Sequence, residues 1–354
     1  MEKVNWGVLS TSHFALKKVI PAMQKGELSR VTAIASRQLE KAQQAARLLG
    51  IDKAYASYEE LLTDEEIDVI YNPLPNHLHV SWAMRALEAG KHVLVEKPLA
   101  MDATEARQLL EFSRGYPQLK IMEAFMYRMH PQWQLAKRWV DSGLVGELRH
   151  IHTHFTYNLV DPANIRNQAE IGGGALMDIG CYAISLARFL FRGEPERVLG
   201  TMEVDPDFQT DRIFSGVLDF GKGSATFTCA TQLAPYQRVI ISGSQGRIEI
   251  EIPFNPSPDR SCRIWLQNEG GIETGTALAV EAFGACVDHA VPLPDSASAT
   301  PFLLPVCDQY TIQGELFSSA VQEYSPVFTP LEDGVANMEV IDRLLLSARQ
   351  GSWA

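Results

Sequence analysis

The sequence is poor in cysteine and has no long hydrophobic run. Its five cysteines are odd in number and widely spaced, with no C-x-x-C pair, which excludes a disulfide framework and a structural zinc site of the usual spacing. We expect reduced thiols, most of them packed in the interior. No segment has eighteen consecutive apolar residues, and no charged leader precedes an apolar core at Met1, so we expect a soluble, cytoplasmic protein. The cysteines are Cys181, Cys229, Cys262, Cys286 and Cys307.

Positive charge is also scarce. The chain has 31 Lys and Arg residues against 43 Asp and Glu residues, a formal net charge of -12, and no dense basic run. Such a surface repels a phosphate backbone, which excludes nucleic acid as the expected partner. The length of 354 residues and the 46% hydrophobic content are enough for two packed cores, so we expect two globular domains.

The first third of the chain alternates short apolar runs with helical patterns. This alternation predicts an α/β fold, a Rossmann-type doubly wound parallel sheet with helices on both faces, over residues 1–125. The predicted strands are Val4–Leu9, Ser29–Ser36, Val69–Tyr71, His92–Glu96 and Lys120–Glu123. The predicted helices are Ala15–Lys25, Leu39–Leu49, His77–Ala89 and Ala103–Phe112.

The pattern changes after residue 125. Residues 126–330 predict an α+β domain with one large, mostly antiparallel open sheet, which we assign to substrate binding and oligomerisation. An open sheet needs cover on its second face, so we expect a homodimer or homotetramer. Residues 331–354 contain a final helix that would pack back on the first domain or stay with the second. The predicted elements are helices Pro131–Asp141 and Gly174–Phe191 and strands Leu148–Tyr157, Val198–Val204, Ile213–Phe220, Ser224–Thr231, Arg238–Ser242, Arg247–Ile252 and Cys262–Gln267.

Glycine is missing from the loop after the first strand. Residues 10–15 read Ser-Thr-Ser-His-Phe-Ala, where a dinucleotide-binding loop reads G-x-G-x-x-G and lets the backbone approach a pyrophosphate. Ser10 and Ser12 stand at the first two glycine positions, and a small hydroxylated side chain can bond a phosphate or cap a helix. Taken alone, the stretch fits an ordinary strand-to-helix turn as well as a cofactor loop.

The end of the second predicted strand indicates which cofactor would bind. NAD-specific proteins place a carboxylate there, against the ribose hydroxyls, but this chain has Ser36-Arg37-Gln38. Arg37 offers a guanidinium fork to a 2′-phosphate, Ser36 a hydroxyl, and Lys41 a second positive charge one helical turn later. The pattern favours NADP over NAD; the alternative is that Arg37 is an ordinary solvated loop residue.

Four motifs follow one another along the chain. Pro75–His79 reads PNHLH, Glu96–Pro98 reads EKP, Glu123–Arg128 reads EAFMYR, and Gly172–Tyr182 reads GGGALMDIGCY. In this order they resemble the Gfo/Idh/MocA family of NAD(P)-dependent oxidoreductases, over nearly the whole chain. The last motif is similar to the catalytic helix of the branch that contains dimeric dihydrodiol dehydrogenase, NADP-dependent D-xylose dehydrogenase and glucose–fructose oxidoreductase. The serines of the opening loop depart from the family pattern.

The resemblance implies that Lys97, Asp178 and Tyr182 are catalytic, and the chemistry of these side chains agrees. Lys97 follows a strand whose carboxyl end lies at the ligand-binding edge of a doubly wound sheet, where an ammonium stabilises a developing alkoxide. Asp178 and Tyr182 are four residues apart and share one face of the predicted helix. The phenol would act as general acid or base with its pKa lowered by Lys97, while Asp178 would orient the substrate hydroxyl or the Lys97/Tyr182 pair.

The resemblance also implies cofactor contacts and a cis peptide bond between Lys97 and Pro98. Arg166 matches an arginine that approaches the cofactor in relatives. Asn76 and His79 resemble cofactor-side residues, although helix capping alone would explain Asn76. The predicted cofactor-binding residues are Ser10, Thr11, Ser12, His13, Phe14, Ser36, Arg37, Lys41, Pro73, Leu74, Asn76, His79, Glu96, Lys97, Arg128 and Arg166.

Three histidines alternate on one predicted strand. His150, His152 and His154 share a sheet face, so two of them could chelate zinc. No carboxylate or cysteine completes a site nearby in sequence, so we favour a polar strand face or an oligomer contact. Hydride transfer needs no metal, and we predict none.

The predicted function is NADP(H)-dependent hydride transfer to or from a carbinol or carbonyl carbon. The family branch implies a sugar, a sugar derivative or a cyclic diol as substrate. Two alternatives stay open: a sugar–sugar oxidoreductase that never releases its NADP, and a non-catalytic NADP-binding regulator. The proton-handling residues Lys97, Asp178 and Tyr182 argue against the regulator, because a sensor does not need them.

Overall fold

The computed structural model describes residues 2–268 and 301–354, and the chain divides into two compact units. The first unit contains Met1–Met126 and Gln309–Glu339, and the second contains Tyr127–Asp308 and Val340–Ala354. This division differs from the predicted domains, because residues 309–330 belong to the first unit and the final helix is shared between the two. Cys286, one of the thiols expected to be packed, lies outside the described residues.

The elements are numbered here in chain order. The strands are β1 (Val4–Leu9), β2 (Ser29–Ala35), β3 (Lys53–Tyr55), β4 (Val69–Asn72), β5 (His92–Val95), β6 (Ile121–Glu123), β7 (Leu148–Asn158), β8 (Arg197–Val204), β9 (Asp211–Asp219), β10 (Ser224–Ala230), β11 (Gln232–Gly243), β12 (Gly246–Ile250), β13 (Cys262–Asn268) and β14 (Phe302–Leu304). The α-helices are α1 (Ile20–Met23), α2 (Leu39–Leu49), α3 (Tyr58–Leu62), α4 (His79–Glu88), α5 (Ala103–Ser113), α6 (Pro131–Asp141), α7 (Cys181–Phe191), α8 (Gln309–Gln322) and α9 (Leu331–Gln350). Two turns, Ala15–Val19 and Leu176–Gly180, are π-helical.

The first unit confirms the predicted doubly wound sheet. Its six strands lie in the order β3-β2-β1-β4-β5-β6, and every neighbouring pair is parallel. The strand order reverses between β1 and β4, which is where sheets of this kind bind their ligands, outside the carboxyl ends of the strands. Strands β4 and β5 are almost wholly buried and rich in Val, Ile and Leu, as parallel strands covered on both faces are.

The second unit confirms the predicted large, mostly antiparallel sheet. Its described strands lie in the order β14-β13-β12-β11-β7-β10-β9-β8. The neighbours pair antiparallel except for β7 and β10, which run parallel from Ser224 opposite His150 to Ala230 opposite Thr156. Burial alternates along β7, β9 and β10, so one sheet face packs on the core and the other is more exposed.

The helix that contains the predicted catalytic pair lies in the core of the second unit. By length and composition the stretch Ala169–Phe191 could cross a membrane, but 89% of its most apolar window is buried inside the protein, as in a core helix. The expected helix from Gly174 onward is present, although it begins as the π-helical turn Leu176–Gly180 before it becomes α7. Extra π-helical turns are frequent at functional sites.

Several elements were missed by the sequence patterns. The short β3, α3 and β14 contain three to five residues, too few to show a period. Helix α8 was missed because its buried face includes small and polar residues, Gln309, Gln313, Gly314 and Ser318, instead of an apolar stripe. It joins the first unit through Glu315, whose carboxylate accepts hydrogen bonds from the backbone N–H groups of residues 27–29.

Candidate active site

The serine loop leaves the carboxyl end of β1 with a backbone conformation that favours glycine. Ser10 has a φ of 143°, a value that side chains rarely adopt. The carbonyl of Ser12 accepts a 3.0 Å hydrogen bond from the Leu16 N–H, and its hydroxyl accepts one of 3.3 Å from the Ala15 N–H. Ser12 therefore helps to begin the helix. Phe14 packs edge-on against Tyr310, with ring centroids 5.6 Å apart.

A cavity of about 370 Å³ opens beside this loop and is lined by hydroxyls and cations, with no carboxylate. Ser36 is fixed by its backbone N–H, which donates to the Tyr55 carbonyl at 3.2 Å, and by its hydroxyl, which accepts from the Gln38 N–H at 3.3 Å. Arg37 and Lys41 are exposed. This lining fits a phosphate group, as expected for the 2′-phosphate of NADP. The lining residues are Ser10, Thr11, Ser36, Arg37, Gln38, Lys41 and Tyr58.

Tyr58 is a residue of this cavity that the sequence patterns did not single out. Burial raises the pKa of Tyr58, while the charge of the nearby Arg37 guanidinium acts in the opposite direction. Its ring packs edge-on against Trp82 at 4.9 Å. Tyr58 therefore links the exposed guanidinium to a packed aromatic pair. It was missed because it lies on the five-residue helix α3, which no period revealed.

The turn after β4 is held by the fully buried Asn72. Its amide Nδ2 donates to the His79 carbonyl at 3.0 Å, and its Oδ1 accepts from the Leu74 N–H at 3.3 Å. Pro73 and Leu74 are themselves buried. Their side chains pack inside the protein and shape the turn. The predicted cofactor contact of these two residues stays a prediction.

His79 connects that turn to the EKP motif. Its Nδ1 lies 2.8 Å from the Pro98 carbonyl oxygen and its Nε2 lies 2.8 Å from the Leu74 carbonyl oxygen. Burial lowers the pKa of His79 to about 4, although both carbonyl contacts act to raise it. The neutral ring is 1% exposed and lies between the two carbonyls, donating to one of them, so it packs between two turns. The predicted cofactor contact of His79 stays a prediction. The 3-10 turn that Asn76 begins has no side-chain cap, so the capping alternative is not supported there and the predicted cofactor contact of Asn76 stays a prediction.

Lys97 is half-buried at the carboxyl end of β5. The Glu96 carboxylate accepts a 2.7 Å hydrogen bond from the Tyr71 phenol and one of 3.3 Å from the Lys97 N–H. The Glu96 N–H donates to the Asn72 carbonyl at 3.0 Å. The Lys97–Pro98 bond is cis, as expected. Glu96 thus acts on the turn around Lys97, and its predicted cofactor contact stays a prediction.

In the second unit, the structure brings together Asp178, Arg166 and Tyr157. The Oδ2 atom of Asp178 accepts a 2.6 Å hydrogen bond from the Tyr157 phenol and forms a 2.9 Å ion pair with Nε of Arg166. The Asp178 charge raises the pKa of Arg166, and burial raises the pKa of Tyr157 far above its usual value. Tyr157 therefore stays a neutral donor. Arg166 was predicted to contact the cofactor, but here its guanidinium pairs with Asp178.

A glycine run and a buried carboxylate set the start of the catalytic helix. A Cβ at Gly173 would collide with the Arg166 carbonyl, and one at Gly174, whose φ is 117°, would collide with the Asp211 carboxylate. Asp211 Oδ2 accepts a 2.7 Å hydrogen bond from the Leu176 N–H. Burial raises the pKa of Asp211 to about 7, against the lowering effect of the backbone donors. The glycines are thus needed for close backbone approach.

Tyr182 lies one turn further along, and 5% of it is exposed. Its ring is 5.7 Å from that of Tyr127, 6.0 Å from that of Phe155 and 5.1 Å from that of Phe254. The aromatic cluster holds the phenol ring in one position, and π-helical Gly180 permits close packing where a Cβ would collide with the Cys229 sulfur. Lys97 belongs to the first unit, whereas Asp178 and Tyr182 belong to the second.

Arg128 is bonded to α7, and its predicted cofactor contact stays a prediction. It is 4% exposed, and its guanidinium donates to the Ser185 hydroxyl at 3.1 Å and to the Ser185 carbonyl at 2.9 Å. It also lies over the Phe189 ring at 5.3 Å. These two donors are directed to α7, so Arg128 helps to pack that helix.

Two of the three histidines of β7 contact neighbouring hydroxyls, and the third packs on an aromatic ring. His150 lies 3.0 Å from the Ser224 hydroxyl and 3.0 Å from that of Thr226, and His152 lies 3.0 Å from the same threonine. His154 packs edge-on against Tyr236 at 5.4 Å. Among the described residues no group of three or more His, Cys, Asp and Glu side chains is arranged to hold a metal ion.

A second cavity, of about 440 Å³, is lined by residues of the second unit. Its lining includes Arg149, Asp219, Lys222 and Trp353 and none of the predicted site residues. The smaller cavity beside the serine loop therefore carries the functional argument, because it combines the dinucleotide loop with the cations expected for a 2′-phosphate.

Comparison with known proteins decides the family. Residues 4–120 match the model of the oxidoreductase family with an NAD-binding Rossmann fold, and residues 133–249 match the GFO/IDH/MocA C-terminal domain. The chain is 44% identical over 354 residues to the oxidoreductase ORF334 of Rhizobium meliloti, covering 100% of this chain and 99% of that one. The chain belongs to the Gfo/Idh/MocA family of oxidoreductases.

Two further members of this family are informative. A D-xylose 1-dehydrogenase (NADP(+)) of Haloferax volcanii is 34% identical, with 98% of each chain covered. The crystal structure of a 3-ketoreductase from Actinomadura kijaniata in complex with NADP and TDP-benzene superposes with a TM-score of 0.83 at 30% identity, covering 98% of each chain. The resemblance read from the four motifs is therefore confirmed, and the chain is an oxidoreductase.

Proposed function

We propose that the chain is an NADP(H)-dependent dehydrogenase or reductase of a sugar, a sugar derivative or a cyclic diol. The observation that carries the cofactor choice is the cavity beside Ser10, where Arg37 and Lys41 stand and no carboxylate is present. The NADP dependence of the Haloferax volcanii dehydrogenase and the NADP bound to the Actinomadura kijaniata ketoreductase support it. Both relatives are named for reactions at a carbinol or carbonyl carbon of sugars or ketones, which supports the substrate class.

Bound NADP(H) would donate or accept the hydride. In reduction, we expect the Tyr182 phenol to donate a proton to the carbonyl oxygen of the substrate and the Lys97 ammonium to stabilise developing negative charge. Asp178 orients the substrate hydroxyl. Because Asp178 is itself held by Tyr157 and Arg166, its carboxylate is pre-oriented before substrate arrives.

The cofactor assignment is tested by calorimetric titration of the full chain with NADP and NAD. We expect tighter binding of NADP. Arg37→Ser should remove a charge-assisted hydrogen bond of about 1.5–3 kcal/mol, which weakens NADP roughly ten- to a hundredfold and leaves NAD unchanged. Arg30→Ser is the matched control. Arg30 is an exposed arginine on β2 and pairs with Asp52. Equal affinities for the two cofactors in the unmodified protein would contradict the assignment.

The reaction is tested by a screen of aldoses, ketoses, oxo-sugars and diols, followed at the nicotinamide absorbance band. With the best substrate, Tyr182→Phe should lower kcat by about 10²–10⁴ while NADPH binding is kept. A Tyr182→Phe protein that binds NADPH normally and turns over at the unmodified rate would remove Tyr182 from the mechanism. Cofactor that stays with the protein through gel filtration would identify the non-releasing variant of the reaction.

The second-domain sheet is also the proposed contact between subunits. Its β7 histidines lie half-buried on the more exposed face, among hydroxyls of β10. A polar, partly exposed face of a large open sheet supports a homodimer or homotetramer. Light scattering of the eluted protein measures the state, and His152→Glu should shift it toward the monomer if this face forms the contact. A monomeric unmodified protein would contradict the proposal.

A further inference from the structure

Two thiols and one imidazole, none of them assigned to catalysis or to cofactor binding, lie together in the second unit. His130 Nε2 is 3.2 Å from the Cys307 sulfur and 3.8 Å from the Cys262 sulfur. The two sulfurs therefore lie no further apart than the sum of these distances, and closer than that unless the three atoms are collinear. Cys262 begins β13, and Cys307 follows β14, the strand that pairs with β13 through Cys262 and Leu304.

The hydrogen bonds of His130 fix which ring nitrogen has the proton. Nδ1 accepts a 3.1 Å hydrogen bond from the Gln132 N–H at the start of α6, so Nδ1 is the unprotonated nitrogen. Burial lowers the pKa of His130 to about 4, so the ring is neutral at neutral pH. Nε2 therefore has the ring proton and donates it to sulfur. The same tautomer weighs against a metal site, because the nitrogen that faces the sulfurs is not available as a ligand.

The two thiols differ in exposure. Cys307 is half-buried, so a small oxidant reaches it, whereas Cys262 is buried. Burial raises the pKa of Cys262 to about 11. A hydrogen bond from Nε2–H favours the thiolate of Cys307, which is the nucleophilic form of the side chain. Cys307 is thus the more reactive sulfur and Cys262 is the neighbour placed to react second.

We propose that Cys307 and Cys262 form a peroxide-oxidisable dithiol, with Cys307 as the first sulfur attacked and Cys262 as the resolving thiol. The Cys307 thiolate attacks one peroxide oxygen, the O–O bond breaks, and a sulfenic acid and water form once a proton is taken up. The Cys262 sulfur then displaces water from the sulfenic acid and loses its proton, giving the disulfide. The two thiols lose two electrons, and hydrogen peroxide is reduced to two waters.

The test uses the reduced full chain exposed to stoichiometric hydrogen peroxide, quenched with a thiol alkylating reagent and mapped by mass spectrometry without reduction. The expected product is one intramolecular peptide cross-link between Cys262 and Cys307. Cys181 and Cys229 are buried thiols of the same unit and serve as internal controls. They should stay reduced and react with the alkylating reagent only after the chain is unfolded. A Cys286→Ser background keeps the fifth thiol out of the product.

Variants separate the two roles. Cys262→Ser should accumulate a Cys307 sulfenic acid that a cyclic 1,3-diketone traps, and Cys307→Ser should leave Cys262 reduced. His130→Asn keeps an N-cap side chain but removes Nε2–H, and should slow oxidation about tenfold because the hydrogen bond that favours the thiolate is lost. The proposal is overturned if Cys307 is oxidised no faster than Cys181 and Cys229 in the unmodified chain, or if the cross-link joins other cysteines. The measurement on the unmodified chain decides this even if a variant fails to fold.

Discussion

The phenol of Tyr157 donates a 2.6 Å hydrogen bond to the same Asp178 oxygen that pairs with Arg166. The three residues come from β7, from the loop after it and from the π-helical turn before α7, so three separate segments converge on one carboxylate. A partly buried carboxylate with two strong donors has a fixed orientation. This relationship makes Asp178 a pre-oriented group, and it makes Tyr157 a positioning residue.

Tyr157→Phe should therefore lower kcat without weakening cofactor binding. Removing the donor takes away the Tyr157 hydrogen bond to Asp178, and the loss of a hydrogen bond to a charged group costs about 1.5–3 kcal/mol of stability. Only part of that energy serves to orient the carboxylate during the reaction. We therefore expect kcat to fall roughly tenfold. Steady-state kinetics and urea unfolding measure the two effects. Tyr236→Phe, a 49% exposed tyrosine of the same sheet, is the control and should change neither.

Ser10→Gly should stabilise the first unit. Ser10 has a φ of 143°, where a side chain is strained by about 1–3 kcal/mol, whereas glycine costs about 0.5–1 kcal/mol in unfolded-state entropy. The net gain in free energy of unfolding should be about 1 kcal/mol by urea titration. Ser12→Gly is the matched control: it loses the bond from Ala15 N–H and gains no relief, so it should be neutral or slightly destabilising. A Ser10→Gly protein less stable than Ser12→Gly would contradict the strain argument.

Tyr58→Phe should weaken NADP binding and leave NAD binding unchanged. The phenol lies near the Arg37 guanidinium, so without this polar neighbour the exposed guanidinium is less ordered before the cofactor binds and more ordering must accompany binding. Holding one long side chain costs about 0.5–1.5 kcal/mol, which predicts a roughly two- to tenfold loss of NADP affinity by calorimetry. Tyr55→Phe is the control, because its phenol donates to Asp64 and is not part of the cavity. The idea fails if both variants bind NADP alike.

Asp211→Asn should change the pH dependence of stability. Burial raises the pKa of Asp211 from its ordinary value to about 7, so the folded protein binds a proton more tightly than the unfolded chain does. This contribution to stability is fully present below the unfolded pKa and is lost as the pH rises through the window up to about 7. The advantage of the unmodified protein over Asp211→Asn should therefore shrink as the pH rises from 4 to 7, measured by urea unfolding.

The control at the other end of the same strand has the opposite sign. A hydrogen bond from Arg197 holds the pKa of Asp219 below its ordinary value. Its contribution is present above the unfolded pKa and is lost as the pH falls, so Asp219→Asn should cost most near neutral pH and least in acid. Parallel pH profiles for the two variants would show that Asp211 is not the buried acid described here.

The sequence by itself determined the fold class, the family and most of the local elements. Parallel strands covered on both faces are mostly apolar, and the β1, β4 and β5 runs show this directly in their residues. The EKP turn, the serine loop and the Ser36–Arg37 step were equally readable, because each depends on a few residues adjacent in the chain. Hydrophobic periodicity and the chemistry of adjacent residues are enough to predict such features.

Only the tertiary structure decided which polar and charged side chains pair with one another. Tyr157 was predicted only as a strand residue, Arg166 and Arg128 as cofactor contacts and His79 as a cofactor-side group, since side chains far apart in sequence have no common period. In the folded chain Arg128 bonds Ser185, Arg166 pairs with Asp178, and His79 lies between two carbonyls. A buried polar group must find its partner wherever the fold places one. That requirement is met by long-range packing, and no local pattern reveals it.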